Sequence, residues 1–414
     1  MSTSIEPAAT SNRWPRAIRS FQNKNFRSYW SGQVISQIGT WMQIVAQSWV
    51  VYDLTDSPLM LGLVNFAALL PVLPISLLAG VLSDRFPRRN IIIMSESILM
   101  LQAIIMAGLI WFNIIQVWHV ILLSFVLGAA AALEQPARLA FVVDIVGKKD
   151  LSNAVALNSS GFNSARIIGP ALAGLMIAAI GEAACFIING LTYLAFILVL
   201  FAIQVPHQIR KKDSIQVMGS LKDGFKYILD SKIILGLLLI VSVASFLTIP
   251  YIALMPVFAR DVLQTGPDGL GFLLTAVGVG AIFGAMISAY LKDGKRGKWI
   301  LAANITGPIF LILFCFSKYF IISLLIIVLV GASNAIRLTL ANSLTQLNTS
   351  DEYHGRVMSV FNLLFNGMSR FGALAVGGLA EIITATWALT ISAGISAIIG
   401  FVLFIQLPHI RKLP

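Results

Sequence analysis

Short polar segments divide the chain into twelve apolar runs, at about 29–52, 58–82, 90–112, 118–146, 153–180, 182–203, 233–259, 268–291, 298–317, 320–346, 356–381 and 386–407. A helix crossing the roughly 30 Å hydrocarbon layer of a bilayer needs about 20 apolar residues. The pattern therefore predicts an all-α membrane protein with twelve transmembrane helices. Of the 29 Lys and Arg, 23 fall in segments on the same side as the N-terminus, and two, Arg260 and Lys318, fall on the other side. Cytoplasmic loops retain positive charge, so both termini are expected in the cytoplasm. The remaining four, Arg138, Arg166, Arg337 and Arg370, lie inside the runs.

Composition agrees: 57% of residues are hydrophobic and 11% charged, where about 25% charged is usual for a soluble domain. A net charge of +11 would suit a nucleic-acid binder, but the basic residues sit in short loops between apolar runs, and no nucleic-acid partner is expected. Residues 1–28 are polar and basic and lack the apolar core of a cleavable signal peptide. Cys185 and Cys315 occupy separate runs and read as small buried hydrophobes, not as a disulfide or a metal site. No GxxxxGK[ST] loop, zinc pattern or nucleophile elbow is present, so the chain does not read as an enzyme and no cofactor is expected.

The longest break sets the domain organisation: a tail over 1–28, a six-helix bundle over 29–203, a linker over 204–232, and a second six-helix bundle with a short tail over 233–414. Within the linker, SLKDGFKYILDSK places Leu221, Phe225, Ile228 and Leu229 on one helical face with Lys222, Lys226 and Lys232 available to lipid phosphates, which predicts a connector helix at the interface. The halves resemble each other. PARLAFVVDIVGKKDLSNA leads through FNSARIIGPALAG in the first, and AIRLTLANSLTQLNTSDEYHGR leads through FNGMSRFGALAVGG in the second. Two parallel repeats about an axis along the membrane normal are a known transporter plan.

GVLSDRFPRR at 80–89, between the second and third runs, resembles the G-x-L-x-D-R-x-G-R-[RK] signature of the major facilitator superfamily. FRSYWSGQVISQIGTWMQ, LEQPARLAFVVDIV, NAVALNSSGFNSARIIGPALAG and HGRVMSVFNLLFNG are similar to the branch of bacterial exporters that includes the enterobactin exporter and macrolide-efflux relatives. The resemblance covers the whole chain and implies the major facilitator fold, with a cytoplasmic gate at Gly80, Asp84, Arg85, Arg88, Arg89 and Asp144. A carboxylate such as Asp84 can accept hydrogen bonds at the positive start of a neighbouring helix while Arg88 or Arg89 reaches a second carboxylate, for which Asp144 is suited. In the family the helix so capped is the eleventh, which begins here near Gly355 and Arg356. The alternative is that these charges only anchor the loop and set topology. Pro87 stands where the signature has glycine and stiffens the loop.

The resemblance also implies that the first, fourth, seventh and tenth helices line a central cavity. The first run carries Gln33, Gln37, Thr40 and Gln47 with Trp41 beside them, and the tenth carries Asn334, Arg337, Asn342 and Gln346. Such groups facing lipid would be costly, so they face the cavity or bond between helices. Asn163 and Arg166 on the fifth, and Asn362, Asn366 and Arg370 on the eleventh, extend the set. An arginine at bilayer depth faces protein or water. With few acids at that depth, the cavity is expected to be positive and to favour anionic or zwitterionic cargo. Glu134, four residues before Arg138, is the proton-coupling candidate; a permanent ion pair with Arg138 or Arg166 is the alternative.

These readings predict a monomeric secondary transporter of the inner or plasma membrane that exports a small amphipathic or anionic molecule by alternating access, with the proton as coupling ion. The rivals are a lipid or lysolipid flippase or an importer on the same fold, and a non-transporting membrane sensor.

Overall fold

The computed structural model describes residues 16–203, 217–291, 296–411 and 413. Much of the expected N-terminal tail, part of the linker and the second-half loop at 292–295 lie outside the described residues. Asn23 opens the first long helix: its side-chain oxygen accepts from the amides of Asn25 at 2.9 Å and Phe26 at 3.2 Å, pairing donors that a helix start leaves free. The helix, α1 (Lys24–Thr55), ends at Asp56 in the left-handed region, φ 49°. After it come α2 (Pro58–Ala67), α3 (Val72–Arg85), α4 (Arg88–Trp111), α5 (Val117–Ile180), α6 (Glu182–Ala202), α7 (Val217–Asp230), α8 (Lys232–Leu247), the short α9 (Met255–Val257), α10 (Gly266–Tyr290), α11 (Arg296–Phe316), α12 (Phe320–Leu347), α13 (His354–Ile383) and α14 (Ala385–Gln406). Among the described residues there is no strand.

Nine helices among the described residues are long and apolar enough to cross a membrane. One of them, α5, has 64 residues, or about 96 Å at 1.5 Å per residue, far more than a bilayer accommodates. It is interrupted at Gly147, whose φ of 70° suits glycine, so the expected fourth and fifth passes are two limbs joined at one residue. The first two expected passes fall outside the nine for physical reasons. α1 is diluted by Gln33, Gln37, Gln43 and Gln47. The run at 58–82, expected as one helix, is α2 and α3 separated by a turn over 68–71, beside Pro71 and Pro74, which cannot donate to a helical ladder.

The run at 233–259, also expected as one helix, breaks after Leu247 into a 3-10 turn (Ile249–Ile252), α9 and a π-helical turn (Phe258–Val262), with Pro250 and Pro256 at the breaks. The carbonyl of Leu247 accepts from Ser392 Oγ at 2.6 Å, and Thr248 Oγ1 bonds Ser396 Oγ at 3.0 Å, so α14 replaces partners the broken helix has lost.

The helices form two groups, α1 to α6 and α8 to α14. At the end where the linker leaves, each group has its own apolar core: Tyr29, Ile92, Phe141 and Phe196 in the first, Ile234, Leu301, Leu344 and Phe361 in the second. At the opposite end a single core joins them, with Tyr52, Leu61 and Phe186 packed in one cluster with Tyr251, Phe258 and Leu270. The seam there is built on backbone contact. A Cβ added at Gly271 of α10 would lie 2.5 Å from the Pro170 carbonyl and 2.8 Å from Gly174 Cα on α5. Small residues of this kind let helices approach closely in a membrane.

The linker helix α7 belongs to the second group. Tyr227 stacks on Tyr353 with ring centroids 4.4 Å apart, and Gly224 packs against Arg356. Ile228 is buried while Phe225 and Leu229 are exposed, which leaves those two apolar side chains for the membrane interface.

Candidate functional site

Four regions of the molecule hold polar chemistry. The first is the joined end. Arg260, in the π-helical turn after α9, ion-pairs with Asp56 and lies 3.9 Å from Asp53 and 3.1 Å from Asp261. Its guanidinium sits 4.2 Å from the centre of the Tyr52 ring, and the Tyr52 hydroxyl donates to Asp261. Nearby, Ser57 Oγ donates to Glu381 at 2.7 Å and Phe66 meets Phe371 edge-on at 5.1 Å. Every one of these contacts except Arg260–Asp261 ties one helix group to the other. The acids are largely exposed, so each pair is worth less than about 1 kcal/mol and salt screens it. Arg260→Ala is expected to shift the equilibrium away from this closed end by only a few-fold, less so in high salt; spin-label distances between positions 54 and 382 would read it. The sequence reading counted Arg260 as a basic residue on the far side and did not foresee this cluster, because it depends on how two distant runs meet.

The second region is the opposite end. Here Arg88 Nη1 donates to both oxygens of Asp144 at 2.7 Å and to the Ala140 carbonyl at 3.2 Å, pinning α4 to α5. Arg89 instead donates to the Phe201 carbonyl at 2.9 Å. Arg85 is exposed. The Asp84 side chain lies outside the described residues. A Cβ placed at Gly80 or at Gly355 would meet nothing within 4 Å, so both face open space.

About two turns deeper along the same α4–α5 seam is the third region. Arg138 Nη2 donates to Glu96 at 2.6 Å, Arg138 Nε donates to Glu134 at 2.9 Å, and its guanidinium lies 5.4 Å from the Phe196 ring centre. Glu96 is 0% and Glu134 5% exposed. Glu96 Oε2 and the neighbouring Tyr29 hydroxyl have no hydrogen-bond partner. The cluster therefore holds two carboxylates against one guanidinium, and a single proton brings it to zero net charge. Glu134 pairs with Arg138 and not with Arg166, and Glu96 on α4 is the third member.

The fourth region lies around the break in α8. Tyr251 is buried in the 3-10 turn, while Asn334 and Arg337 stand on α12 and Arg166 on α5. Arg337 Nη2 donates to Asn334 Oδ1 at 2.5 Å. Among the described residues none of Arg166, Arg337 and Arg370 has an acidic group within ion-pair distance. The other predicted cavity residues are distributed more widely. Trp41 meets Phe162 edge-on at 6.0 Å. Gln37 is half-buried. Gln47 Nε2 donates to Ser124 at 3.0 Å, joining α1 to α5. Asn163 and Asn366 each donate back along their own helix, to the carbonyls of Ser159 at 2.9 Å and Asn362 at 3.1 Å. Behind α1 an unforeseen amide chain runs from Asn189 through Gln43 to Gln102, with bonds of 2.6 and 2.8 Å.

The model of a family described as transmembrane secretion effector matches residues 16–413. The Staphyloferrin A transporter of Staphylococcus aureus is 26% identical, over 86% of this chain and 89% of that protein. Enterobactin exporter EntS of Salmonella typhi is 25% identical, over 81% of each. Among solved structures, a bacterial homologue of the human lysosomal transporter Spinster, inward-facing and occupied, superposes with a TM-score of 0.72 at 13% identity, over 97% of this chain and all of that one. The nucleoside transporter NupG superposes with a TM-score of 0.71 at 12% identity, over 92% of this chain and 99% of that one.

Proposed function

We propose, from the premise that this chain belongs to the transmembrane secretion effector family of major facilitator transporters, that it exports a small amphipathic or anionic molecule by alternating access in exchange for protons. It is a multi-pass protein of the inner or plasma membrane and not an enzyme. In the proposed arrangement twelve passes form bundles over 29–203 and 233–414, a monomer is the working unit, and the basic linker end faces the cytoplasm, as retention of positive loops directs.

One observation carries the reading: the two helix groups share an apolar core at the Arg260 end, while at the linker end their cores are separate and Gly80 and Gly355 face open space. That arrangement supports a cavity closed at the outer face and open toward the cytoplasm. The names of the relatives, a Staphyloferrin A transporter and an enterobactin exporter, support outward movement of a small molecule. The Glu96–Arg138–Glu134 cluster supplies the coupling step. When dry it holds one added proton at zero net charge, and when the rocking bundles admit water it releases that proton.

Inverted membrane vesicles test this, with carboxyfluorescein, rhodamine 123 and a fluorescent lysophosphatidylcholine as probes. An acid interior should drive accumulation of the anionic dye by the wild type, and nigericin should abolish it. The Glu96→Gln variant, which leaves Glu134 paired with Arg138 at zero net charge, should still exchange dye down its gradient while no longer responding to the pH gradient. Accumulation indifferent to nigericin would remove proton antiport from the reading, and movement of the lysolipid alone would replace the exporter with a flippase.

A further inference from the structure

We infer that the interior of the first helix group is a proton conduit, in which a polar seam along α1 leads from the joined end to Glu96 and lies apart from the path of the cargo; the inference rests on reading the Glu96–Arg138–Glu134 cluster as the coupling site of a transporter. Tyr29, Gln33, Ser36, Thr40, Gln43 and Gln47 follow one another at alternating steps of four and three, which keeps them on one face of the helix. Their partners show that this face points into the first group. Gln47 Nε2 donates to Ser124 Oγ on α5 at 3.0 Å. One turn away, Gln43 accepts from Asn189 Nδ2 on α6 at 2.6 Å and donates to Gln102 Oε1 on α4 at 2.8 Å. Next, Thr40 Oγ1 is hydrogen-bonded to the Tyr193 hydroxyl on α6 at 3.1 Å.

The register of the helices brings the seam to the ion cluster. Both α1 and α4 begin in the core at the linker end and finish in the core at the joined end, so they run parallel. Gln43 meets Gln102, and two turns earlier on each helix Ser36 faces Ser95 and its neighbour Glu96. Tyr29 lies with its ring 5.6 Å from that of Phe196, the ring that the Arg138 guanidinium approaches at 5.4 Å. At the other end Gln47 is half-buried, which brings the seam to accessible surface two residues before Trp49 of the joined core.

Helix association does not account for the whole seam, because part of it is unpaired. Gln102 Nε2, Ser95 Oγ, Gln33 Oε1 and the Tyr29 hydroxyl are buried without a hydrogen-bond partner, and such groups are costly. They comprise an amide donor, an amide acceptor and two hydroxyls able to act either way. Water both donates and accepts and satisfies this mixed set, whereas a cation or an anion satisfies only half of it. Waters in file with the hydroxyls of Thr40, Tyr193, Ser36 and Ser95 pass a proton along by accepting one and donating the next. It ends on Glu96 as the neutral acid, beside the Glu134 carboxylate and the Arg138 guanidinium, with Tyr29 and Tyr193 the other titratable groups of this interior. Because the seam lies within one helix group, protons reach the cluster while the joined end stays closed to cargo.

Inverted membrane vesicles carrying the whole chain test this, with carboxyfluorescein as the probe. Thr40→Val combined with Tyr193→Phe removes both hydroxyls of one hydrogen bond at nearly constant shape, so neither is left without its partner. Dye accumulation driven by an acid interior should slow by about tenfold or more, while dye-for-dye exchange at equal pH and the unfolding temperature stay at wild-type values. Thr40→Ser alone, which keeps a hydroxyl there, should accumulate dye at the wild-type rate. Acid-driven accumulation undiminished in Thr40→Val/Tyr193→Phe overturns the conduit, and so does an equal loss of accumulation and exchange, which marks a packing role. The parent reading fails separately: wild-type accumulation that ignores nigericin removes proton antiport whatever the variants do, and the conduit falls with it.

Discussion

Arg138→Leu is expected to lower the unfolding temperature steeply and to reduce the yield of folded protein. The arginine stands between two carboxylates that have no other cation in reach, 2.6 Å from Glu96 and 2.9 Å from Glu134, and both acids are buried. Removing one partner from a buried ionic cluster costs about 3–5 kcal/mol, because the charge left behind has lost both water and its counter-ion. A marginally stable protein does not absorb such a loss at one site without visible unfolding. The same argument makes a second, opposite prediction. In the background of Glu96→Gln and Glu134→Gln the leucine leaves no buried charge, so stability should return most of the way. Thermal unfolding followed by tryptophan fluorescence would read both, and an Arg138→Leu variant as stable as the wild type would mean that water reaches the cluster.

Gly271→Leu is expected to abolish transport while leaving the helices formed. Its added side chain runs into the backbone of Pro170 and Gly174 across the seam, and backbone cannot move aside as a flexible side chain can. The joined end is then wedged apart, and distances between spin labels at positions 54 and 382 should lengthen. Gly284 provides the contrast, since its neighbour is the backbone of Ala332 on α12 within the same helix group. Gly284→Leu should therefore unfold the second group, where overpacking has no hinge to relieve it. Equal loss of folded protein in both variants would show that the α5–α10 contact is a fixed part of the core and not a gate.

How far the sequence led depended on the range of the interaction concerned. Length and hydropathy marked an all-α membrane chain, because twenty apolar residues have few places to go outside a bilayer. The breaks inside the second and seventh runs were written in Pro71, Pro74, Pro250 and Pro256, but apolar length alone passes over them. Arg138 and Glu134, one turn apart, could be paired from spacing. Glu96, 42 positions earlier in sequence than Arg138, could not, since the contact depends on how α4 is rotated against α5. The Arg260 cluster is more remote still, because it exists only in the conformation that brings the two helix groups together at that end. The polar face of α1 was legible as polar but not in its use: Gln43 and Gln47 bond to neighbouring helices, while spacing alone allowed a cavity wall.

The interruption of α5 at Gly147 has a mechanical consequence. One limb carries Glu134 and Arg138, the other Arg166 and Gly174, and a single residue joins them. A joint of that kind has two soft torsions where a loop has many, so rotation of one limb reaches the other as torque and little is lost as slack. Arg166 stands 19 residues from the pivot, a lever arm of about 28 Å at 1.5 Å per residue. A tilt of about 10° at Gly147 would swing the far end by about 5 Å on that lever arm, so that a change in the packing of one limb would be felt as displacement on the other.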